Sequence, residues 1–244
     1  MNRSQFKNSP ILVRVAPFAL FLLLTFCQNY FGEAGRYWFY LGKTLIGGWL
    51  IWVIRPFIAE MRWQISWAAF GVGVGVFALW VGLDGLYPTL DQLSQSYFSP
   101  LLKKIGLESW SPKPSGPPNP WNPYLHFGPV SALGSAFVLV RILGSSLVVP
   151  PLEEVFFRSF LYRYLARPDF QSVPLGQFLF RPFLITSLIF GFEHREWLPG
   201  VLCGFVYQGL VVWEKRLGDA ITAHALTNLL LGLWVIWKGA WHFW

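Results

Sequence analysis

Charge is what this chain has least of. Charged residues make up 13% of its 244 positions, where a soluble globular domain carries about a quarter. Set against 54% hydrophobic and 19% aromatic residues, that shortage describes a protein whose solvent is lipid. The 14 Trp and 23 Phe fit, because amphipathic rings collect where hydrocarbon meets headgroups. Cysteine is scarce too. Cys27 and Cys203 both lie in apolar stretches, which argues against a disulfide framework and makes buried small hydrophobes the default. Neither CxxC nor HExxH occurs, which removes the commoner zinc signatures. A run of basic residues is also missing. The net charge is +7, but basic residues fall singly between apolar stretches, as at Arg14, Arg36, Arg55, Arg62, Arg158, Arg163 and Arg167, a pattern that membrane topology explains better than a nucleic-acid partner does.

Long apolar runs are abundant. A helix of about 20 apolar residues spans the hydrocarbon core, and the first such run covers residues 11–30. Arg3, Lys7 and Arg14 make it look like a signal peptide, but it is too long and no small-residue cleavage site closes it, so retention as an anchor is expected. Residues 37–54 and 67–86 form two more runs, the latter with Gly71, Gly73 and Gly75, where a neighbouring helix can approach closely. Residues 87–127 change character. Pro112, Pro114, Pro117, Pro118, Pro120 and Pro123 forbid a continuous helix, so this is a connection outside the bilayer core with a short interfacial helix expected near 97–105. The second half reads as a fourth span over 130–149, a helix over 152–165 begun by Pro150 and Pro151, and segments near 182–194, 199–213 and 220–237. The expected fold is an all-α polytopic membrane bundle of seven or eight helices. It divides into N-terminal helices with the proline-rich connection (1–128) and a helical core (129–244), integrated in one membrane domain. Lys and Arg counts in short loops put the N-terminus, the 55–62 loop and the 158–167 stretch on the cytoplasmic side.

Ionisable side chains at membrane depth are costly, so each is a functional candidate. Glu154 and Arg158 lie four apart on one helix face and can pair, while Glu153 is rotated about 100° away. Phe190 and His194 close an otherwise apolar helix. His224 and Asn228 stand one turn apart in the last span and can face one point. Two carboxylates, an arginine, two histidines and an asparagine suit activation of a water and stabilisation of an oxyanion. Each has a plainer reading. Glu154–Arg158 can be a structural ion pair, Glu153 a first-turn carboxylate, and the histidines and asparagine interhelical glue. Glu193, Arg195 and Glu196 read as interface residues, His126 and His242 have no assignment, and Arg141, near mid-span, needs a partner that sequence cannot name.

At these residues the chain resembles the CPBP family of intramembrane glutamate endopeptidases, which includes the type II CAAX prenyl proteases and proteins linked to bacteriocin processing or immunity. The resemblance rests on EExxxR at Glu153, Glu154 and Arg158, FxxxH at Phe190 and His194, and HxxxN at His224 and Asn228, and covers roughly residues 130–237. It implies a bundle enclosing these motifs in a cavity and hydrolysis of a peptide bond by a glutamate-activated water. Glu153 would be the general base, His194 would hold or polarise the water, neutral His224 together with Asn228 would donate to the oxyanion, and Glu154 and Arg158 would orient the site. No cofactor or metal is implied. The partners would be a membrane-associated peptide or protein and the lipid bilayer, in a bacterial cytoplasmic membrane. Two other functions compete: a catalytically silent scaffold or immunity-type peptide binder, and a metal or proton transporter using the same Glu and His residues.

Overall fold

The computed structural model describes residues 9–110 and 120–244. Arg3, Lys7, Pro112, Pro114, Pro117 and Pro118 lie outside the described residues. Among those described, every regular element is helical, and the chain folds as an all-α membrane bundle. Seven longer helices build it: α1 (Pro10–Cys27), α2 (Gly32–Ile54), α3 (Trp67–Gly82), α4 (Ala132–Ala166), α5 (Phe180–Phe192), α6 (Trp197–Glu214) and α7 (Leu217–Lys238). By length and composition α1, α4 and α7 can cross a membrane, while α3 and α5 are shorter apolar helices. Serine hydroxyls accept the free amides at three helix starts, Ser9 for α1, Ser66 for α3 and Ser131 for α4, as expected of N-caps.

Several boundaries differ from those read in the sequence. The expected break between a span ending at 149 and a helix starting at 152 is absent: α4 runs unbroken for 35 residues. Pro150 and Pro151 sit inside it rather than at a start. A proline in a helix removes a donor and crowds a carbonyl one turn back, and α4 accommodates this with a wide π turn over Gly144–Val148 just before the pair. The connection carries more helix than the interfacial 97–105 segment, as Leu90–Leu93, Ser94–Phe98 and Ser99–Lys104 follow one another directly. A capping box of Thr89 and Gln92 starts that helix earlier.

The largest core draws on all seven helices, with Phe18, Ile54, Val76, Phe157, Phe190, Tyr207 and Ile221 among its buried members. Large apolar side chains such as Trp49, Trp52, Trp213 and Trp237 stay exposed, as befits surfaces that meet lipid. Of Gly71, Gly73 and Gly75 only Gly73 has the expected role. A Cβ there would lie 2.8 Å from the Ala223 carbonyl on α7, whereas Gly71 and Gly75 face open space. The Thr227 hydroxyl lies 2.9 Å from the Gly73 carbonyl across the same crossing.

The start of α1, the 59–61 turn and the end of α4 meet at one end of the bundle. Glu60 Oε1 accepts from Arg14 Nη2 at 2.6 Å, Arg163 Nη2 at 3.1 Å and Ser159 Oγ at 2.7 Å. Burial acts to raise the Glu60 carboxyl, but the Arg14 guanidinium and the hydrogen bonds prevail and hold it below its ordinary value. A carboxyl depressed on folding lends stability that is present above its unfolded pKa and lost as pH falls through the folded one. The melting temperature in detergent should therefore drop between about pH 5 and pH 3, and Glu60→Gln should flatten that slope. Gly73→Val should destabilise the protein by about 1–3 kcal/mol in denaturant unfolding, with Gly75→Val near neutral.

Candidate active site

The site is laid out along α4. Glu153 and Glu154 sit between the π turn before the prolines and a second one over Val155–Leu161; such turns recur at functional positions. Glu154 is fully buried and Arg158 is 2% exposed. Their ion pair, Arg158 Nε to Glu154 Oε2, measures 3.2 Å. The guanidinium also lies 4.2 Å from the centroid of the Phe190 ring on α5. Phe190 of the FxxxH pattern is thus the face on which the buried cation rests.

The other oxygen of Glu154 accepts from His224 Nδ1 at 2.9 Å. That bond fixes the imidazole of α7 with its proton on Nδ1 and its Nε2 free. The sequence reading had a neutral His224 donating to an oxyanion; with Nδ1–H committed to Glu154, a neutral ring has no proton on Nε2, so donation there requires the imidazolium. Glu153 Oε2 lies 4.0 Å from His224 Nε2, too far for a direct hydrogen bond and close enough for a shared water. The Tyr207 ring of α6 stacks on His224 with centroids 5.0 Å apart and anchors its hydroxyl on Thr227 at 2.8 Å.

His194 follows α5. Its Nδ1 lies 2.7 Å from the Phe190 carbonyl, an acceptor only, so this ring too carries its proton on Nδ1 and leaves Nε2 free. Asn228 Nδ2 donates to the Ser145 carbonyl at 2.8 Å. In the wide-turn pattern, where the Val149 amide reaches Gly144, the next bond would join the Pro150 nitrogen to Ser145. Proline has no such proton, and the Asn228 amide takes its place.

Two cavities adjoin. The larger, about 700 Å³, has Glu153, Glu193, His194 and Arg141 in its wall. The smaller, about 190 Å³, is lined by His194, His224 and Asn228 and shares Trp80, Arg141, Ser145 and Val149 with the first. Glu153, His194, His224 and Asn228 therefore surround connected space, while Glu154 and Arg158 lie behind it. Sequence reading took Glu193 for an interface residue, whereas it shares the larger cavity with Glu153, and it passed over Tyr207, which belongs to none of the three motifs. Glu196 is held by the Tyr87 hydroxyl and Trp197 by the Pro88 carbonyl at 3.0 Å, which ties the loop after α3 to the one after α5. Among the described residues, no group of three or more His, Cys, Asp and Glu is set to hold a metal ion.

A family model for the type II CAAX prenyl endopeptidase Rce1-like proteins matches residues 135–230. That segment belongs to the family. It contains Glu153, Glu154, Arg158, His194, His224 and Asn228, and membership implies protease activity in general terms. No curated protein and no solved structure matches the chain. With its apolar helices, the protein is an integral membrane protein that carries this segment.

Removing one partner from a buried pair strands the other's charge. Arg158→Leu should destabilise the fold by about 3–5 kcal/mol, measured by unfolding in detergent. Asn228→Ala should cost about 1–3 kcal/mol by leaving a buried carbonyl unpaired.

Proposed function

We propose that the protein is an intramembrane endopeptidase that hydrolyses a peptide bond of a membrane-associated peptide or protein with a glutamate-activated water. The observation that carries this reading is the 4.0 Å gap between Glu153 Oε2 and His224 Nε2 beside a cavity also lined by His194. A water in that gap accepts from Nε2–H of imidazolium His224 and donates one proton to Glu153 and the other to the free Nε2 of His194. Glu153 takes its proton as the water oxygen attacks the scissile carbonyl, then passes it to the departing amine. The tetrahedral oxyanion accepts the second Nδ2 proton of Asn228, the first being used on Ser145, and a proton of imidazolium His224 whose charge Glu154 offsets. His194 positions the water through Nε2. Glu154 and Arg158 act through His224, fixing its orientation.

Residues 1–128 and 129–244 work as one membrane domain in this proposal, the first part supplying α1 to α3 and the second the chemistry. The end bearing Arg14, Arg55, Arg62, Arg163 and Arg167 faces the inside of a bacterial cytoplasmic membrane, following the positive-inside rule. The action needs no cofactor. A transporter or metal site is disfavoured because both Glu154 oxygens already serve Arg158 and His224.

Incubating the reconstituted protein with a peptide library is the direct test. Glu153→Gln should lower cleavage by about 100- to 10,000-fold with an unchanged melting temperature, and His224→Ala should also abolish most activity. Full biological activity of Glu153→Gln would instead identify a silent scaffold, and loss of activity in chelator would identify a metal enzyme.

A further inference from the structure

Among the basic residues that line the larger cavity and that the reaction above leaves unused are Lys43 and Arg141, which share one aromatic ring. Lys43 of α2 is 5% exposed. Its ammonium donates to Thr25 Oγ1 at 3.1 Å and lies 4.7 Å from the centroid of the Tyr40 ring. The guanidinium of Arg141 on α4 lies over the same ring at 4.5 Å, 5.2 Å from Trp121 and 5.9 Å from Trp244. Neither cation has a carboxylate within 4.0 Å among the described residues. Arg141 Nε is buried without a hydrogen-bond partner. Aromatic faces attract cations, but they leave most N–H donors of an ammonium and a guanidinium unanswered. Two adjacent like charges in a low-dielectric wall call for an anion.

We propose that Arg141 and Lys43 form a carboxylate subsite, which holds the C-terminal carboxylate of a peptide whose scissile bond lies at Glu153. This rests on the peptidase reading above. Arg141, Ser145, Val149 and Glu153 all line the cavity, one in every four residues of α4. Rows of four drift around a regular helix, and the π turn over Gly144–Val148 slows that drift, keeping both ends of the row on one wall. The rise from Arg141 to Glu153 is about 18 Å, the span of about five extended residues. The cavity is therefore acidic where Glu153 and Glu193 stand and basic where Arg141 and Lys43 stand. A planar carboxylate matches the guanidinium fork. A lipid phosphate would satisfy the charge but not the shared wall with Glu153.

The test uses a dye-labelled, lipid-anchored random peptide pool prepared in two forms, C-terminal acid and C-terminal amide, with full-length protein in zwitterionic vesicles. Wild type should cleave the acid pool about tenfold or more faster than the amide pool. The ratio should fall to near one in Arg141→Gln and in Lys43→Gln, and Arg141→Lys should retain part of it. Two variants on separate helices guard against one failing to fold. A parallel arm measures retention of both pools by the Glu153→Gln protein. Cleavage with equal rates for acid and amide would overturn the subsite and leave the peptidase standing. Acid-selective, Arg141-dependent retention without any cleavage by wild type would support the subsite and overturn the peptidase. Neither cleavage nor selective retention would overturn both. Arg141-dependent retention of an anionic phospholipid, with no preference for the acid pool, would assign the cations to a headgroup and overturn the carboxylate.

Discussion

A carboxylate with no access to solvent, Glu154, sits between a guanidinium and an imidazole, and the rest of the site is arranged around that junction. One oxygen faces Arg158 and the other accepts from His224. Burying such charges is unfavourable unless each is matched, so the three side chains constrain one another and, through them, α4, α5 and α7. Arg158 needs Phe190 beneath it, and His224 needs Tyr207 beside it. The consequence for chemistry is a fixed ring orientation. With its proton held on Nδ1, the His224 ring turns its other nitrogen to Glu153, and that choice is made by a residue that never meets the cavity.

The second constraint is backbone. Two adjacent prolines in the middle of a 35-residue helix would ordinarily break it. A wide turn ahead of them and a side-chain amide from α7 supply what the prolines withhold. The same irregularity sets the row from Arg141 to Glu153 along one wall. Distortion in α4 thus serves two ends, joining α7 to α4 and aligning the cavity.

Much of this was legible in the amino-acid order, and the part that was not has physical causes. Apolar runs gave the bundle because a run of that composition has no other solvent, and EExxxR, FxxxH and HxxxN marked the polar positions inside it. Helix limits were less legible around Pro150, since a local rule about proline yielded to packing that the local sequence does not contain. Gly73 could not be told from Gly71 and Gly75 by pattern, because only the approach of Ala223 distinguishes them. Arg141 was recognisable as misplaced, but its neighbours Tyr40, Trp121 and Trp244 come from distant parts of the chain and carry no spacing signal. Tyr207 was invisible for a related reason, as an aromatic in an aromatic-rich protein does not announce its stacking partner.

The three-way junction at Glu60 bears on how the chain is made. Arg14 enters with the first helix, yet Glu60 follows 46 residues later and Ser159 145 residues later. Until those residues leave the ribosome, the arginine has only water and headgroups to answer its charge. Its charge is matched once the 59–61 turn has followed, and the donors around Glu60 are complete only with the end of the fourth helix.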